Sequence, residues 1–422
     1  MNASRAEFRR GWAPLLASAI GTGSGVTGLA FYGFGVFVLP LVSAFGWTRG
    51  EISTAASFLV LGTALTAPVV GSLIDRFGTR RVGMISMLAG AIGLAMLSTL
   101  EGSLLTFYFA WFVIAIIGGG TTPVVWTRTV NVWFDRSRGL ALGIALAGSG
   151  LASIFAPPIL TRVIAEYGWQ GGYLAMGGFL AFVAVPLIAL LLKESPPPEE
   201  HSETSKTVKI DSEISKQAQQ NLPELSGIEA KDAIRQAVFW KIAITFFFVS
   251  GAISALIINL IPLLVDRGID RTTAATIAGL MGISVLAGRL IIGFLLDRLP
   301  AAIVAAVVLV TCAVGCGLLY LPNTTTWVII LSVLALGLAT AAEVDLVAYL
   351  SSRFFGLRAY GQIYGYQLSS FYLGAALGPV VAGAAYDRFE SYGPTLLGAA
   401  FGLVLGASIM LTMGKPKLQK SK

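Results

Sequence analysis

Charged residues are scarce in this chain. They make up 12% of its 422 residues, against about 25% in a typical soluble domain, and 55% of the residues are hydrophobic. A soluble fold of this size cannot bury so much apolar side chain. The 29 basic residues form short clusters between apolar runs, without the continuous basic stripe of a nucleic-acid-binding protein. The composition therefore indicates a protein that crosses a membrane many times and binds no nucleic acid.

Histidine and cysteine are nearly absent. The one histidine, His201, lies in the most polar segment, and Cys312 and Cys316 lie inside an apolar run. The sequence therefore predicts no disulfide framework, no Cys/His metal site and no histidine-based catalytic triad. We expect no enzymatic activity, no catalytic residue, no metal and no cofactor. The three glycines at 118–120 are not followed by the Gly-Lys-Ser/Thr of a phosphate loop, so no nucleotide is expected either.

Twelve apolar segments are long enough to cross a bilayer, which takes about 20 residues per helix. They are much longer than the roughly ten-residue strands of a membrane barrel and do not alternate, so an all-α membrane protein is predicted. The first run continues past the small residues at 17–19, which argues against a cleaved signal peptide. The segments lie roughly at 12–42, 50–74, 82–100, 103–130, 138–165, 169–192, 237–265, 272–296, 301–321, 326–350, 359–386 and 391–413.

Lysine and arginine are distributed unevenly between the two sides of the predicted bundle. With the N-terminus in the cytoplasm, most basic residues fall on the cytoplasmic side, as the positive-inside rule requires. We therefore expect a multi-pass protein of the inner (plasma) membrane with both termini in the cytoplasm. The arginines left in the outer loops are Arg49, Arg162, Arg267, Arg271 and Arg388.

A polar segment divides the chain into two parts. We expect an N-terminal six-helix half at 1–192, a cytoplasmic linker at 193–236 and a C-terminal six-helix half with a short basic tail at 237–422. The linker is rich in charge and proline, which is typical of a solvated segment, with a short helix near 225–236.

The two halves share a motif at a fixed register. Gly-x-x-x-Asp-Arg begins at Gly71 at the end of helix two and at Gly293 at the end of helix eight, 222 residues later. A third copy begins at Gly383 in helix eleven, and Glu166 marks a worn copy at the end of helix five. Helices two and eight end on one side and helices five and eleven on the other. This pattern predicts nested three-helix inverted repeats.

The loop between helices two and three, from Gly71 to Arg81, resembles the loop motif of the major facilitator superfamily. With the 6+6 plan, the resemblance covers the whole chain and implies a secondary transporter that works by alternating access. The stretch at 133–150 resembles the monocarboxylate porter branch, in particular bacterial members that include oxalate/formate-type antiporters. So does Ala287-Gly288-Arg289 in helix eight.

The resemblance implies a role for one arginine and leaves another role open. It implies that Arg289 binds the substrate carboxylate. Animal members of the branch often carry an aspartate one turn before this arginine, where this chain has Val285. The residue that takes the coupling proton must therefore lie elsewhere.

Only Arg289, Glu343 and Asp345 lie well inside apolar helices. Such charges cost about 2.5–3.5 kcal/mol each, so they pair or face a cavity. Counting along the helices places Arg289 and Glu343 at similar depth, so we expect Glu343 to pair with Arg289 and to take the coupling proton. Glu343 and Asp345 point about 200° apart, which leaves Asp345 as the alternative proton carrier, a helix contact or part of the inner gate. A buried pair that only docks two helices is the other interpretation.

Polar residues elsewhere are candidates for substrate binding. Helix eleven is unusually polar for a span, and Tyr364 and Gln367 are neighbours at i, i+3. Asn259 in helix seven and Tyr32 in helix one are further candidates. Hydrogen bonding between helices, which often uses such residues, is the alternative.

A charged latch at the inner face is also predicted. Asp75 follows the helix-two glycine and lies beside three arginines, with Arg128 and Asp135 at a comparable depth in helix four. A latch between helices two, four and eleven would hold the inner side closed; stop-transfer charge is the alternative. The predicted gate residues are Gly71, Asp75, Arg76, Gly78, Arg80, Arg81, Arg128 and Asp135.

The sequence thus predicts a proton-coupled transporter of a small organic anion, with a monocarboxylate as the expected substrate. Its partners are the lipid bilayer, the anion and the proton. The alternatives are an organic-anion antiporter, a drug or metabolite exporter of the same fold, and a transport-dead membrane sensor.

The orientation can be tested by labelling. A cysteine at Ser202 should resist impermeant thiol reagents in intact cells, because the distribution of basic residues puts the linker in the cytoplasm. Labelling at this position would reverse the predicted orientation.

Overall fold

The computed structural model describes residues 2–193, 227–322 and 324–414. Within these ranges, ten helical stretches are long and apolar enough to cross a membrane. One of them, Arg138–Leu191, contains two helices that meet at Gly168, where φ is 71°. A further crossing is split into Leu104–Ile117 and Pro123–Trp133. The described ranges therefore hold twelve crossings, as the sequence predicts.

We number the crossings α1 to α12 in chain order. A short linker helix, Ala230–Ile234, precedes α7 within the range where the sequence predicts one, and residues 194–226 of the predicted linker lie outside the described residues. The bounds are α1 2–45, α2 Arg49–Phe77, α3 Thr79–Met96, α4 104–133, α5 138–167, α6 169–191, α7 Ala237–Val265, α8 Arg271–Leu296, α9 Ala301–Tyr320, α10 Thr326–Phe355, α11 Tyr360–Phe389 and α12 Gly393–Leu411.

The fourth crossing is broken where the sequence predicts a continuous segment at 103–130. A 3₁₀ turn, Gly119–Thr121, separates the two pieces. Three successive glycines disfavour an α-helix because they lose the most backbone freedom on ordering. Pro123 then begins the second piece, which suits it because the first residues of a helix need no N–H partner.

The two halves of the chain meet along α2 and α11 and along α5 and α8. Gly71 and Gly361 approach so closely that a Cβ on either would overlap the carbonyl oxygen of the other. Gly139 and Gly293 form the equivalent contact between α5 and α8. Each residue of one contact lies 222 positions from its counterpart in the other. One interface therefore repeats the other with the roles of the halves exchanged.

These contacts lie at one end of the bundle, which we call the latched end. It is defined by the turns α2–α3, α4–α5, α8–α9 and α10–α11. The start of α1 reaches it too, since Glu7 accepts hydrogen bonds from the backbone of the α4–α5 turn. The start of α7 and the end of α12 meet there as well, where Lys241 donates to the Thr412 carbonyl at 3.0 Å.

The glycine contact should be necessary for closure at the latched end. In Gly293→Val, the new side chain would overlap the Gly139 carbonyl, so the two halves should separate there. Nitroxide labels at Arg136 and Leu299, which are both exposed, should report a longer distance between α5 and α8.

Gly282→Val in the same helix is the matched control. An added Cβ at Gly282 meets no atom within 4 Å, so this variant should keep the wild-type distance. An unchanged distance in Gly293→Val would contradict the role given to the glycine contact.

Candidate functional site

The buried arginine of α8 forms an ion pair with α10. Arg289 Nη1 lies 2.8 Å from Asp345 Oδ1, and the two residues are 7% and 0% exposed. The prediction that Glu343 would be the partner is therefore wrong. Counting residues gives depth but not the rotation of α10 about its axis. That rotation turns Asp345 toward α8, and the 200° spacing then turns Glu343 away from the guanidinium.

Glu343 is nevertheless part of the same charged cluster. Its side chain is buried, with 8% exposure, and Oε2 accepts no hydrogen bond from any described residue. It lies within electrostatic range of both members of the ion pair. Tyr32 of α1, Cys312 of α9 and Tyr372 of α11 are the other titratable groups within its range. The cluster thus draws on both halves of the chain.

Tyr32 reaches the cluster from an irregular part of α1. A π-helical turn, Val26–Ala30, and a 3₁₀ turn, Gly35–Phe37, flank the single α-turn that carries it. Such turns break the regular helix and are frequent at functional sites. Tyr32 is one of the predicted site residues, and it lies within electrostatic range of Arg289 and Glu343.

The two predicted residues of α11 are both buried, and one of them, Tyr364, lies near the charged cluster. Tyr364 is fully buried, is within electrostatic range of Arg289 and Asp345, and its hydroxyl has no described partner. Gln367 accepts a hydrogen bond from Ser351 Oγ of α10, while its Nε2 has no described partner. Buried polar atoms are normally satisfied, so these free atoms indicate places for a ligand or water.

Asn259 has a different environment. Its Nδ2 donates to the Ala255 carbonyl at 2.8 Å, and its Oδ1 accepts from the Tyr392 hydroxyl at 3.3 Å. The contact with Tyr392 ties α7 to the start of α12. None of them leads to Arg289, so the structure does not support the choice of Asn259 as a substrate ligand.

The first part of the latch lies between α2, α4 and α11, as predicted. Asp75 accepts backbone N–H bonds from Gly361 at 3.1 Å and Gln362 at 2.9 Å, which are first-turn donors of α11. A carboxylate at this position satisfies free N–H groups and interacts favourably with the helix dipole. Arg128 Nε lies 3.2 Å from Asp75, and its Nη1 donates to the Ile74 carbonyl at 2.7 Å.

The arginines that follow Asp75 are not part of this contact. Arg76, Arg80 and Arg81 are exposed, Arg76 lies over the Phe77 ring, and Arg80 donates to Ala189 of α6. The expectation that Asp75 lies among three arginines is therefore corrected: its ion-pair partner is Arg128. Gly78 of the same motif has a φ of 84° and makes the sharp turn into α3.

A second cap, which the sequence reasoning missed, joins α8 to α5. Asp297 accepts N–H bonds from Gly139 at 2.6 Å and Leu140 at 3.0 Å, at the start of α5. Burial raises the pKa of the Asp297 carboxyl, and the two N–H bonds oppose this rise. The available signal was the offset of 222, which relates Asp75 to Asp297 and also Gly139 to Gly361.

Asp135 completes the latch from the α4–α5 turn. Its Oδ1 lies 2.8 Å from Arg353 Nη1 of α10 and 3.2 Å from Arg138 Nη2 of α5. Arg138 also donates to Ser352 of α10 at 3.3 Å. The contacts Asp135–Arg353 and Arg138–Ser352 cross between the halves, and both reach α10, whereas the predicted latch joins helices two, four and eleven.

The caps should control closure and not substrate affinity. Asp75→Asn keeps the side-chain size but loses the charge that Arg128 and the α11 N-terminus stabilise, so the latched end should open more often. Transport should fall while the half-saturating substrate concentration stays nearly constant, and Asp297→Asn should act in the same way. Initial uptake rates over a substrate series measure both quantities.

Asp270→Asn provides the control. Asp270 caps the start of its own helix, α8, at the opposite end, where it accepts from Thr273 at 3.0 Å. Normal transport by Asp75→Asn would contradict this role. The charges at the latched end would then serve only to orient the protein in the membrane.

Sequence and structure comparisons agree with this architecture. The family profile described as Major Facilitator Superfamily matches residues 20–379 and 260–422. Monocarboxylate transporter 13 of Bos taurus is 25% identical over 391 residues, which cover 90% of this chain and 84% of that protein. The MFS-type transporter YhjX of Escherichia coli is 23% identical over 340 residues, covering 78% and 77%.

The most informative solved structure shares the fold at low identity. The human organic anion transporter MFSD10 superposes with a TM-score of 0.69 at 15% identity, covering 96% of this chain and 99% of that one. The helical bundle, its two matched caps and the profile match over most of the chain lead to one conclusion: the chain belongs to the major facilitator superfamily and is a multi-pass membrane transporter.

Proposed function

We propose that this chain transports a small organic carboxylate, specifically a monocarboxylate, together with a proton. The observation that carries the proposal is a buried guanidinium with one ion-pair partner and a spare donor. Arg289 Nη1 contacts Asp345, whereas Nε has no described hydrogen-bond partner. The names of the bovine and human relatives, a monocarboxylate and an organic anion transporter, support the same substrate class.

The guanidinium can bind a carboxylate in a defined way. Its planar set of N–H donors matches the two oxygens of a carboxylate, and such paired bonds are stronger than neutral ones. A substrate that approaches the Nε edge of Arg289 would therefore compete with Asp345 for the same cation. Tyr364 and Tyr32 lie within electrostatic range of Arg289 and are the proposed neighbours of the bound carboxylate.

The proton follows from the charge of this cluster. The substrate carboxylate and an ionised Asp345 would together place two negative charges beside the one cation, Arg289. The uncompensated negative charge would lie in a poorly solvated region, which is costly. A proton on Asp345 removes that charge and releases Arg289 to the substrate. We therefore assign proton coupling to Asp345 and no longer to Glu343, which lacks the contact with Arg289.

Alternating access needs the latch to open and close. With the latched end in the cytoplasm, where the basic residues place it, the structure corresponds to a state closed on the inner side of the inner membrane. The halves at 1–192 and 237–422 would then rock about the cluster, and the two caps would break on inward opening. The bacterial relative from Escherichia coli is consistent with that membrane.

A second candidate is an exporter of an organic cation or other metabolite. The observation that favours it is the excess of acids over bases deep in the helices, with Glu343 and Asp345 against Arg289. An exporter of this kind would not transport labelled lactate or pyruvate. It would transport a lipophilic cation out of loaded vesicles.

Two substitutions in proteoliposomes test the carboxylate proposal. Arg289→Lys keeps the charge but loses the planar set of N–H donors. The half-saturating concentration of lactate or pyruvate should therefore rise about tenfold or more, which corresponds to a loss of about 1.4 kcal/mol in binding free energy. Asp345→Asn should abolish accumulation driven by a pH gradient but retain exchange of labelled for unlabelled substrate.

Arg267→Lys is the matched control, because Arg267 donates to the Leu321 carbonyl at the end opposite the latch. It should behave as the wild type. Full pH-driven accumulation by Asp345→Asn would refute the assignment of the proton, and unaltered uptake by Arg289→Lys would refute the carboxylate site.

A further inference from the structure

A groove of about 540 Å³ opens between the start of α7 and the end of α12, next to the latched end. Its walls are almost entirely apolar, and two of its α7 side chains, Trp240 and Ile244, are 51% and 43% exposed. Exposed apolar side chains of a membrane protein contact lipid chains, which are as apolar as they are. The α7–α12 groove is thus a depression in the lipid-facing surface, lined by Trp240, Lys241, Ile244, Ser408, Ile409 and Thr412.

The shape of the α7–α12 groove follows from the residues of α12. This helix approaches α7 closely at Gly406, where an added Cβ would lie 3.1 Å from the methyl groups of Thr245 and Val249. Nearer the latched end, α12 contributes the short side chains of Ser408 and Thr412. Their hydroxyls donate to carbonyls of α12 itself, at 2.9 and 2.7 Å. The space between the helices therefore has an apolar wall although two of its residues carry hydroxyls.

A fixed cation lies at the end of the groove nearest the latched end. Lys241 Nζ donates to the Thr412 carbonyl at 3.0 Å, and an ammonium group has three N–H donors, so two remain for an anion. Among the described residues, Lys241 has no ion-pair partner. The Trp240 indole N–H donates to the Ile234 carbonyl at 2.9 Å, which brings the exposed Arg235 to the same end. The groove thus has an apolar body and a cationic end.

The sequence around the groove adds positive charge. Residues 229–241 carry three basic and two acidic side chains, and one of the acids, Glu229, is already paired with Lys231 at 2.8 Å. Residues 415–422, which lie outside the described residues, carry four lysines and no acid. Basic clusters beside a transmembrane helix attract anionic lipids. The charge of this region therefore favours an anionic headgroup.

We propose that the α7–α12 groove is a binding site for one anionic glycerophospholipid from the leaflet at the latched end. The phosphate accepts the two remaining N–H bonds of Lys241, and one acyl chain lies along Ile244 and Ile409. This inference is independent of the transported substrate, because the groove is on the outer surface of the C-terminal half.

Two features distinguish this site from the general lipid layer. Lys241 is already held by the end of α12, whose last carbonyls attract a cation, so little side-chain freedom is lost when a phosphate binds. Arg235 lies beside it and would repel the ammonium group of a zwitterionic headgroup. A headgroup without a cation, such as that of phosphatidylglycerol, therefore fits better than that of phosphatidylcholine.

Lipid binding to the purified full-length protein tests the proposal. The protein in detergent micelles is given phosphatidylglycerol or phosphatidylcholine with the same acyl chains, and bound lipid is counted by native mass spectrometry. We expect the wild type to retain phosphatidylglycerol about fivefold better, and phosphatidylglycerol to raise the unfolding temperature more, because a ligand of the folded state stabilises it.

Lys241→Gln should remove this preference. Phosphatidylglycerol binding should fall about fivefold, the factor that one lysine contributes near an anionic lipid surface, while phosphatidylcholine binding stays within about twofold of the wild type. Lys241→Arg keeps the charge and should keep the preference. Lys193→Gln is the matched control, since Lys193 is exposed at the end of α6, the counterpart of α12 in the other half. It should bind both lipids as the wild type does.

A second variant tests the apolar part of the site. Ser408→Trp fills the groove without changing Lys241, so phosphatidylglycerol binding should again fall about fivefold. Leu397→Trp places the same side chain on an exposed position, 49% exposed, at the other end of α12 and should bind as the wild type does. Glycerol 3-phosphate, a headgroup without chains, should not displace the bound lipid.

Three results would overturn the proposal. The first is equal retention of both lipids by the wild type, which would make the groove part of the general lipid layer. The second is an unchanged preference in Lys241→Gln or unchanged binding by Ser408→Trp. The third is displacement of phosphatidylglycerol by glycerol 3-phosphate at the same concentration, which would assign the cationic end to a soluble phosphate ester. None of these results depends on carboxylate transport, so the proposed function is tested separately.

Discussion

The arrangement of this protein depends on one constraint: a guanidinium that lies deep among apolar helices must always have an anion beside it. Arg289 meets this condition through Asp345, at 2.8 Å. Any substrate that replaces Asp345 must therefore carry negative charge, and Asp345 must become neutral as it leaves. The chemistry of transport, as proposed here, follows from the cost of an unpaired charge in a poorly solvated site.

The same principle acts at the latched end, where backbone N–H groups stabilise two carboxylates and Arg128 adds a side-chain cation beside Asp75. The N-termini of α5 and α11 carry free N–H donors and partial positive charge. Asp297 and Asp75 of the opposite halves satisfy them, and the glycine contacts allow the backbones to come close enough.

Sequence reasoning succeeded where periodicity and repetition decide the result. The twelve crossings followed from the apolar runs, and the cluster around Arg289 followed from the rare charges inside them. At Asp75 the sequence predicted a charged latch but not the cap on α11. Sequence reasoning failed where the contacts of a residue depend on the rotation of its helix about the helix axis. Glu343 and Asp345 have equal depth but opposite faces, and only the packing of α10 against α8 selects Asp345. The contacts of Asn259 depend on packing in the same way, because its bond with Tyr392 depends on how α7 meets α12.

The cluster and the latch share helices, and this explains how an event at one reaches the other. On α8, Gly293 lies one turn beyond Arg289 and Asp297 one turn further, and a Cβ added to Gly143 of α5 would already collide with the Arg289 carbonyl. On α11, Tyr364 follows the capped residue Gly361 by one turn. A rigid helix transmits a tilt along its length, so under the proposed function a change of the partner of Arg289 would move the cap on α5. Coupling between substrate and gate then requires no separate relay, only two helices that each carry a ligand group and a cap.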